Sequence, residues 1–345
     1  MVQTFGPVTF GLAAFSLVAS ALGVGVTIRL ANKIGVFDIP SERSSHSVPT
    51  PRMGGVAMVV AAVLALIGWA YIASGYVYWT RVVWTVPLFA VLMSGLGLWD
   101  DLSSLSPLFR FSVQIALSVA ILLVLAMKVP SVHLAGYSIP SGFWVPLGAL
   151  WVVWMVNLYN FMDGIDGLAG GEAAVASSFF FLLFAHYGES GWAVANLFVA
   201  AASMGFLVHN WPPARVFMGD AGSAYLGAFY GMQAVVAPLT TSVPFPVLVL
   251  PFTNFILDTT VTLFRRIWQG EKWYMAHRSH FYQRMTNLGM SHQRVTILEL
   301  LTVAASCAAA SGYLGFDFPG RVFIVIAVLS GFIAGGIWVM RKERS

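Results

Sequence analysis

Long apolar runs separated by short polar segments set the pattern of this chain. Eleven of them lie at roughly 8–30, 54–74, 82–99, 108–127, 142–156, 173–187, 191–208, 223–239, 246–264, 295–313 and 321–340, most near the ~20 residues a helix needs to cross a bilayer. This pattern predicts an all-α fold, a polytopic transmembrane helical bundle of about eleven spans. No basic residue precedes the first run, whereas Arg29 and Lys33 follow it. That flank predicts an uncleaved first helix with the N-terminus outside, on the periplasmic side. An odd number of spans then places the C-terminus in the cytoplasm.

In this topology only Arg81, Lys128 and Arg321 of the 18 Lys and Arg fall outside, and so strong a positive-inside bias supports the orientation. The acidic residues sort the same way, with only Glu189 and Asp317 in the outer segments. Any chemistry therefore belongs to the cytoplasmic segments 31–53, 100–107, 157–172, 209–222 and 265–294, within a single membrane domain spanning 1–345. A chain 58% hydrophobic and 9% charged, with mean hydropathy +0.80, is not a soluble domain. Its net charge of +4 follows from the inward bias of basic residues and implies no nucleic-acid partner. Cys307 is the single cysteine, so no intrachain disulfide forms.

The segment Asn157-Leu-Tyr-Asn-Phe-Met-Asp-Gly-Ile-Asp-Gly-Leu-Ala-Gly-Gly-Glu puts three carboxylates and two carboxamides beside an apolar run. Asp163 and Asp166 share a face wherever the backbone is helical, as do Asn157 and Asn160. Nearby glycines leave open backbone for a phosphate; the alternative is a polar loop at a membrane edge. Arg43, His46 and Arg52 offer donors to a phosphate or lipid head group, or form a generic basic loop. Asp100 and Asp101 meet mutual repulsion and the unfavourable end of a helix dipole, which calls for a metal ion, a shared proton or Arg110. Asp220, between Gly219 and Gly222-Ser223, sits where a helix begins and could hold a metal on a phosphate, or serve as a cap; Phe217 could stack on a base. His277, Arg278, His280 and Arg284 match a diphosphate or a solvated basic face. Asp258 lies about two helical turns below Arg265-Arg266, a depth at which an ionisable side chain has a partner or a function. Many oxygen ligands and no thiolates select Mg²⁺, or Mn²⁺, over zinc. Such groups at a membrane surface suggest phosphoryl transfer from a soluble donor to a lipid.

Gly97-Leu-Trp-Asp-Asp, Asn157 to Leu168, Pro213-Ala-Arg-Val-Phe-Met-Gly-Asp-Ala-Gly-Ser and the His277 to Arg284 cluster resemble the polyprenyl-phosphate N-acetylhexosamine-1-phosphate transferases. That superfamily also holds the phospho-N-acetylmuramoyl-pentapeptide transferases. The resemblance runs from Asp38 to Arg284 and implies Mg²⁺-dependent transfer of sugar-1-phosphate from a UDP-N-acetylhexosamine to undecaprenyl phosphate, with release of UMP, in a bacterial inner membrane. It implies that Asp100 deprotonates the lipid phosphate with Asp101 beside it, and that Asp220 ligates Mg²⁺. Asn160, Asp163 and Asp166 would bind nucleotide and support the metal, Phe217 would lie near uracil, and the histidine cluster would face the diphosphate or sugar. Dimers are common in such enzymes, so a homodimer is an expectation of the resemblance. Arg43-Ser-Ser-His and His-Arg-Ser-His-Phe-Tyr-Gln-Arg look more like the branch that initiates O-antigen or related surface polysaccharides, with lipopolysaccharide synthesis as the implied pathway, than like the peptidoglycan enzyme. A transporter or flippase is the rival class, but it would concentrate polar groups at the bilayer midplane and show repeated halves.

Overall fold

The computed structural model describes residues 5–35, 37–40, 48–73, 81–127, 129, 131–134, 137–271 and 277–344; Arg43 and His46 lie outside them. The helices are α1 (Pro7–Ile34), α2 (Gly54–Ala73), α3 (Arg81–Ser103), α4 (Pro107–Ala126), α5 (Ser141–Met162), α6 (Leu168–His186), α7 (Ser190–Asn210), α8 (Asp220–Thr240), α9 (Phe245–Val249), α10 (Thr253–Trp268), α11 (Phe281–Asn287), α12 (His292–Gly315) and α13 (Phe318–Lys342). Two short antiparallel pairs, β1 (Phe37–Asp38) with β2 (Thr50–Pro51) and β3 (Ser131–Leu134) with β4 (Tyr137–Pro140), lie between α1 and α2 and between α4 and α5. The chain is a polytopic helical membrane bundle. Among the described residues ten helices are long and apolar enough to cross a bilayer, with Phe245–Trp268 taken as one rod. That rod is broken by a 3-10 turn, Leu250–Phe252, where Pro251 has no N–H to continue an α-helical ladder.

The remaining predicted span, 223–239, falls on α8, which has the length, 21 residues, but is not among the ten apolar helices. Its position explains the difference. Sixteen of those 21 residues are buried, and α2, α3 and α5 pack around it. A helix that faces protein does not need a continuous apolar coat. Lipid supplies little hydrophobic drive for helix association, so close packing between small residues does the work. A Cβ on Gly55 would lie 2.5 Å from the Gly222 Cα, one on Gly227 2.5 Å from the Met155 carbonyl oxygen, and one on Gly97 against the Asp220 carbonyl. These helices touch α8 backbone to backbone.

Helix ends also depart from the predicted segments. α5 continues through Asn157 and Asn160 to Met162, and α6 starts at Leu168, so 157–172 contracts to a turn at 163–167. α3 likewise carries Asp100 and Asp101 within its last turn. Apolar runs stop at the first polar side chain, whereas a helix continues while its ladder is intact and its polar groups find partners. As a result, the ends of α3, α5 and α7 meet the starts of α2, α6, α8 and α12 at one end of the bundle.

Gly97→Ala is expected to force α3 off the first turn of α8 and to destabilise the fold by about 1–3 kcal/mol. Thermal unfolding in detergent, followed by size-exclusion chromatography, reads this directly; an unchanged midpoint would mean that α3 and α8 are not in backbone contact.

Candidate active site

The first turn of α8 leaves backbone N–H groups without intrahelical acceptors. Gly219, at φ +75°, turns the chain into the helix and offers no side-chain cap. The Asp101 carboxylate of α3 fills that role by accepting from the Asp220 N–H and the Ala221 N–H, both at 3.1 Å. It also accepts from Arg52 Nη2 at 3.0 Å. Arg52 is fixed in turn, because the Phe217 N–H donates to the Pro51 carbonyl at 2.8 Å and the Gly54 N–H to the Phe217 carbonyl at 2.9 Å. Asp101 therefore joins α3, α8 and the β2 segment.

With the backbone held, the Asp220 side chain projects between two groups of partners. Its Oδ1 accepts from Asn160 Nδ2 at 2.8 Å, and its Oδ2 from Arg110 Nη1 at 3.0 Å. Arg110 also donates to Asp100, whose carboxylate accepts from the Leu105 N–H at 2.7 Å. Asn157 donates to Gln114 at 2.7 Å. Asp100, Arg110, Asn157 and Gln114 line a small cleft that has Asn160 and Asp220 in its wall.

Across Asp220 lies a polar cavity of about 230 Å³, lined by Asp38, Arg52, Asn160, Asp163, Asp166, Phe217, Asp220, Gln283 and His292 among others. Three predicted carboxylates, one carboxamide, Arg52 and Phe217 thus share one space, with Asp100 on the far side of Asp220. Asp166 Oδ2 accepts from the Ala214 N–H at 3.0 Å, and its Oδ1 stands 3.2 Å from His292 Nδ1. The Asp163 N–H donates to the Asn160 carbonyl at 3.3 Å, but among the described residues its carboxyl has no hydrogen-bond or ion-pair partner. Desolvation first, then the Asp220 and Asp101 charges, push its carboxyl well above the usual carboxylate range, against the pull of Arg52.

The histidine cluster lies elsewhere. His280 is buried, with Nδ1 3.1 Å from Asp258 Oδ1, and the Asp258 carboxylate accepts from the Phe281 N–H at 2.9 Å and the Tyr282 N–H at 3.2 Å. Asp258 thus anchors α11, which matches the expectation of a partner for an ionisable group at that depth. His277 accepts at Nδ1 or donates from it to the Ser279 hydroxyl at 2.9 Å. Arg284 donates from Nε to Glu343 at 2.7 Å, tying α11 to the end of α13. Neither His277, Arg278 nor His280 lines the polar cavity; Gln283 and His292 do. His292 opens α12 directly after its N-cap Ser291, and a Ser-His step before an apolar run is the signal that could have found it.

The donor set suits a hard cation. It is all oxygen, and Asp163 is an unpaired carboxyl facing like charge, a position a divalent ion would relieve. Asp163, Asp220 and Asn160 could hold such an ion. Among the described residues no three His, Cys, Asp or Glu side chains form a group that could hold a metal ion by themselves, so an ion here would need water or ligand oxygens to complete its shell.

Residues 83–238 match the family model described as glycosyl transferase family 4. The chain is 32% identical over 298 residues, 84% of its own length and 80% of the relative's, to a probable undecaprenyl-phosphate N-acetylglucosaminyl 1-phosphate transferase of Bacillus subtilis (strain 168). It is 33% identical to the decaprenyl-phosphate N-acetylglucosaminephosphotransferase of Mycobacterium leprae (strain TN), over 93% of this chain and 87% of that one. A phospho-N-acetylmuramoyl-pentapeptide-transferase of Acaryochloris marina is 31% identical over 56% of this chain and 54% of its own.

Asp258→Ala is expected to leave the His280 and α11 donors without their acceptor and to lower stability by about 1–3 kcal/mol, read as a fall in thermal midpoint. Stability also depends on pH through His277. Burial first, then His280 and the Arg266 and Arg265 charges, lower His277 from 6.5 to about 4. A folded value below the unfolded one means stability that is full above pH 6.5 and is lost as pH falls towards 4. His277→Gln should flatten that part of a stability–pH curve, and an unaltered curve would show that His277 does not titrate this way.

Proposed function

The chain belongs to the polyprenyl-phosphate N-acetylhexosamine-1-phosphate transferase family, and from that premise we propose that it moves N-acetylhexosamine-1-phosphate from a UDP-sugar to undecaprenyl phosphate, releasing UMP. The observation that carries this reading is the gathering of Asp163, Asp166, Asp220, Asn160, Arg52 and Phe217 around one polar cavity at a single end of the bundle. On this reading that end faces the cytoplasm of a bacterial inner membrane, in keeping with the inward bias of Lys and Arg.

The donor is assigned to the polar cavity, with Arg52 and His292 as cationic and hydrogen-bonding contacts for its phosphates and Phe217 beside the base. The acceptor phosphate is assigned to the cleft with Arg110 and Asp100, across Asp220. An acceptor oxygen attacks the β-phosphorus of the donor; the new P–O bond forms as the bond to UMP breaks. Asp100 takes any proton remaining on the acceptor phosphate, while Arg110 steadies Asp100 and Asp220 together. Mg²⁺, when bound at Asp163 and Asp220, would supply charge neutralisation at the diphosphate. Asp101 acts at one remove, holding the α8 backbone from which Asp220 projects. The sugar is read as GlcNAc or a 6-deoxy relative and the pathway as surface polysaccharide initiation. The two N-acetylglucosaminyl-type relatives, aligned over most of their length, support that choice over UDP-MurNAc-pentapeptide.

Asp163→Asn and Asp220→Asn should each lower UMP release by roughly 10²–10⁴-fold while membrane insertion and thermal midpoint stay near those of the parent. Full turnover in either variant would remove the assignment. With undecaprenyl phosphate in detergent, a donor panel of UDP-GlcNAc, a 6-deoxy UDP-N-acetylhexosamine and UDP-MurNAc-pentapeptide should give UMP from one or both of the first two, and release from the pentapeptide donor alone would move the protein to the peptidoglycan reaction.

A further inference from the structure

Of the segment His277 to Arg284, one side chain reaches the polar cavity, that of Gln283 on α11. It is 6% exposed and tightly held. Its Oε1 accepts from the His280 N–H at 3.3 Å, as the third helical residue of a capping box does. A backbone N–H only donates, so the amide oxygen must face it and the NH₂ group must face away. The helix beneath is fixed as well, by Asp258 at its first N–H groups and by the Tyr282 hydroxyl on the Phe161 carbonyl at 2.8 Å. Gly164 admits this approach: a Cβ there would run against the Tyr282 hydroxyl and lie 3.1 Å from Gln283 Nε2.

Three carboxamides line the cavity, and two have committed their donors. Asn160 Nδ2 gives to Asp220 at 2.8 Å and to Ser223 at 3.3 Å, and Asn210 Nδ2 to the Val216 carbonyl at 2.9 Å. Gln283 Nε2 has no acceptor among the described residues. A nearly buried donor left in this state calls for an acceptor from a ligand. The wall it stands on limits which part of a ligand that is. Phe217, assigned above to the base, is fixed by backbone bonds to Pro51 and Gly54, whereas α11 packs on α10, α12 and α13. Arg52 and the Asp163 and Asp220 carboxyls, with their cation, take the diphosphate. The sugar remains for the α11 wall.

We propose that Gln283 is a specificity-determining residue that selects the acetamido group of the donor sugar, with Nε2 donating to its carbonyl oxygen. The inference rests on the UDP-sugar reading given above and adds to it the group that is recognised. A neutral amide suits a neutral carbonyl, whereas a cation at the same place would compete for the phosphates. A hexose with a hydroxyl instead of the acetamido group is shorter by the acetyl unit and leaves Nε2 without its acceptor, and a site built around a hydrogen bond discriminates against the analogue that lacks it.

The test measures kcat/KM for UMP release by the full-length protein in detergent, with UDP-GlcNAc and its 6-deoxy analogue each set against the UDP-hexose that carries a hydroxyl in place of the acetamido group. Gln283→Met removes the donor at similar length. Gln283→Glu removes it while keeping an acceptor for the His280 N–H, and its added charge burdens both donors of a pair alike and so drops out of their ratio. In each variant the preference for the acetamido donor should fall by about 10-fold, the loss of one neutral hydrogen bond. The thermal shift produced by UMP, which has the base and a phosphate but no sugar to be transferred, should stay that of the parent. An unchanged donor ratio in both folded variants, or UMP binding weakened as much as donor binding, would overturn the assignment of Gln283 while leaving the transfer reaction standing. A parent protein that releases no UMP from any of these donors would remove the transfer reading itself, and this assignment with it.

Discussion

The bond between the Asp101 carboxylate and the first N–H groups of α8 is the contact on which the site depends. It answers a general problem of helix ends, since exposed N–H groups need acceptors and carry partial positive charge that favours an anion. Here the anion comes from the last turn of another helix, where its own position is electrostatically unfavourable, and Arg52 supplies the compensating charge. The arrangement fixes where α3 ends, where α8 begins and how the β2 segment crosses them. Asp220 is held at its backbone by this clamp and at its side chain by Asn160 and Arg110.

The carboxylates then divide by what surrounds them. Asp101, Asp166 and Asp258 accept backbone N–H bonds and hold elements together. Asp100 shares Arg110 with Asp220. Among the described carboxyls at the site, that of Asp163 alone faces like charge without a bonded partner, so it is the group most in need of a cation or a donor supplied by ligand. Roles that look interchangeable in a list of acidic residues are separated by which N–H groups lie within 3 Å or so of each.

Much of this was legible in the chain. The apolar runs located nearly every helix, and the motifs at Asp100, Asn157 and Phe217 named residues that do converge. Three features were not. Hydropathy ends α3 and α5 too early, because side-chain hydropathy falls before the backbone ladder does. The role of Asp101 as a cap depends on a helix more than a hundred residues away, which no local pattern encodes. Composition groups His277 and His280 with phosphate-binding residues, yet a buried carboxylate, Asp258, draws His280 inward, and His292 takes a place at the cavity instead. Short-range chemistry was readable; choices among long-range partners were not.

The sequestration of α8 bears on how the protein is made. A helix whose faces are matched to the backbones of α2, α3 and α5, and which is less apolar than its neighbours, partitions poorly into bare lipid and gains its footing from spans already in place. The acidic centre it carries can therefore form only after those earlier spans have been inserted and have gathered around it, and a chain halted upstream of Asp220 would rest in the bilayer as a set of helices with a vacant groove and no reactive centre.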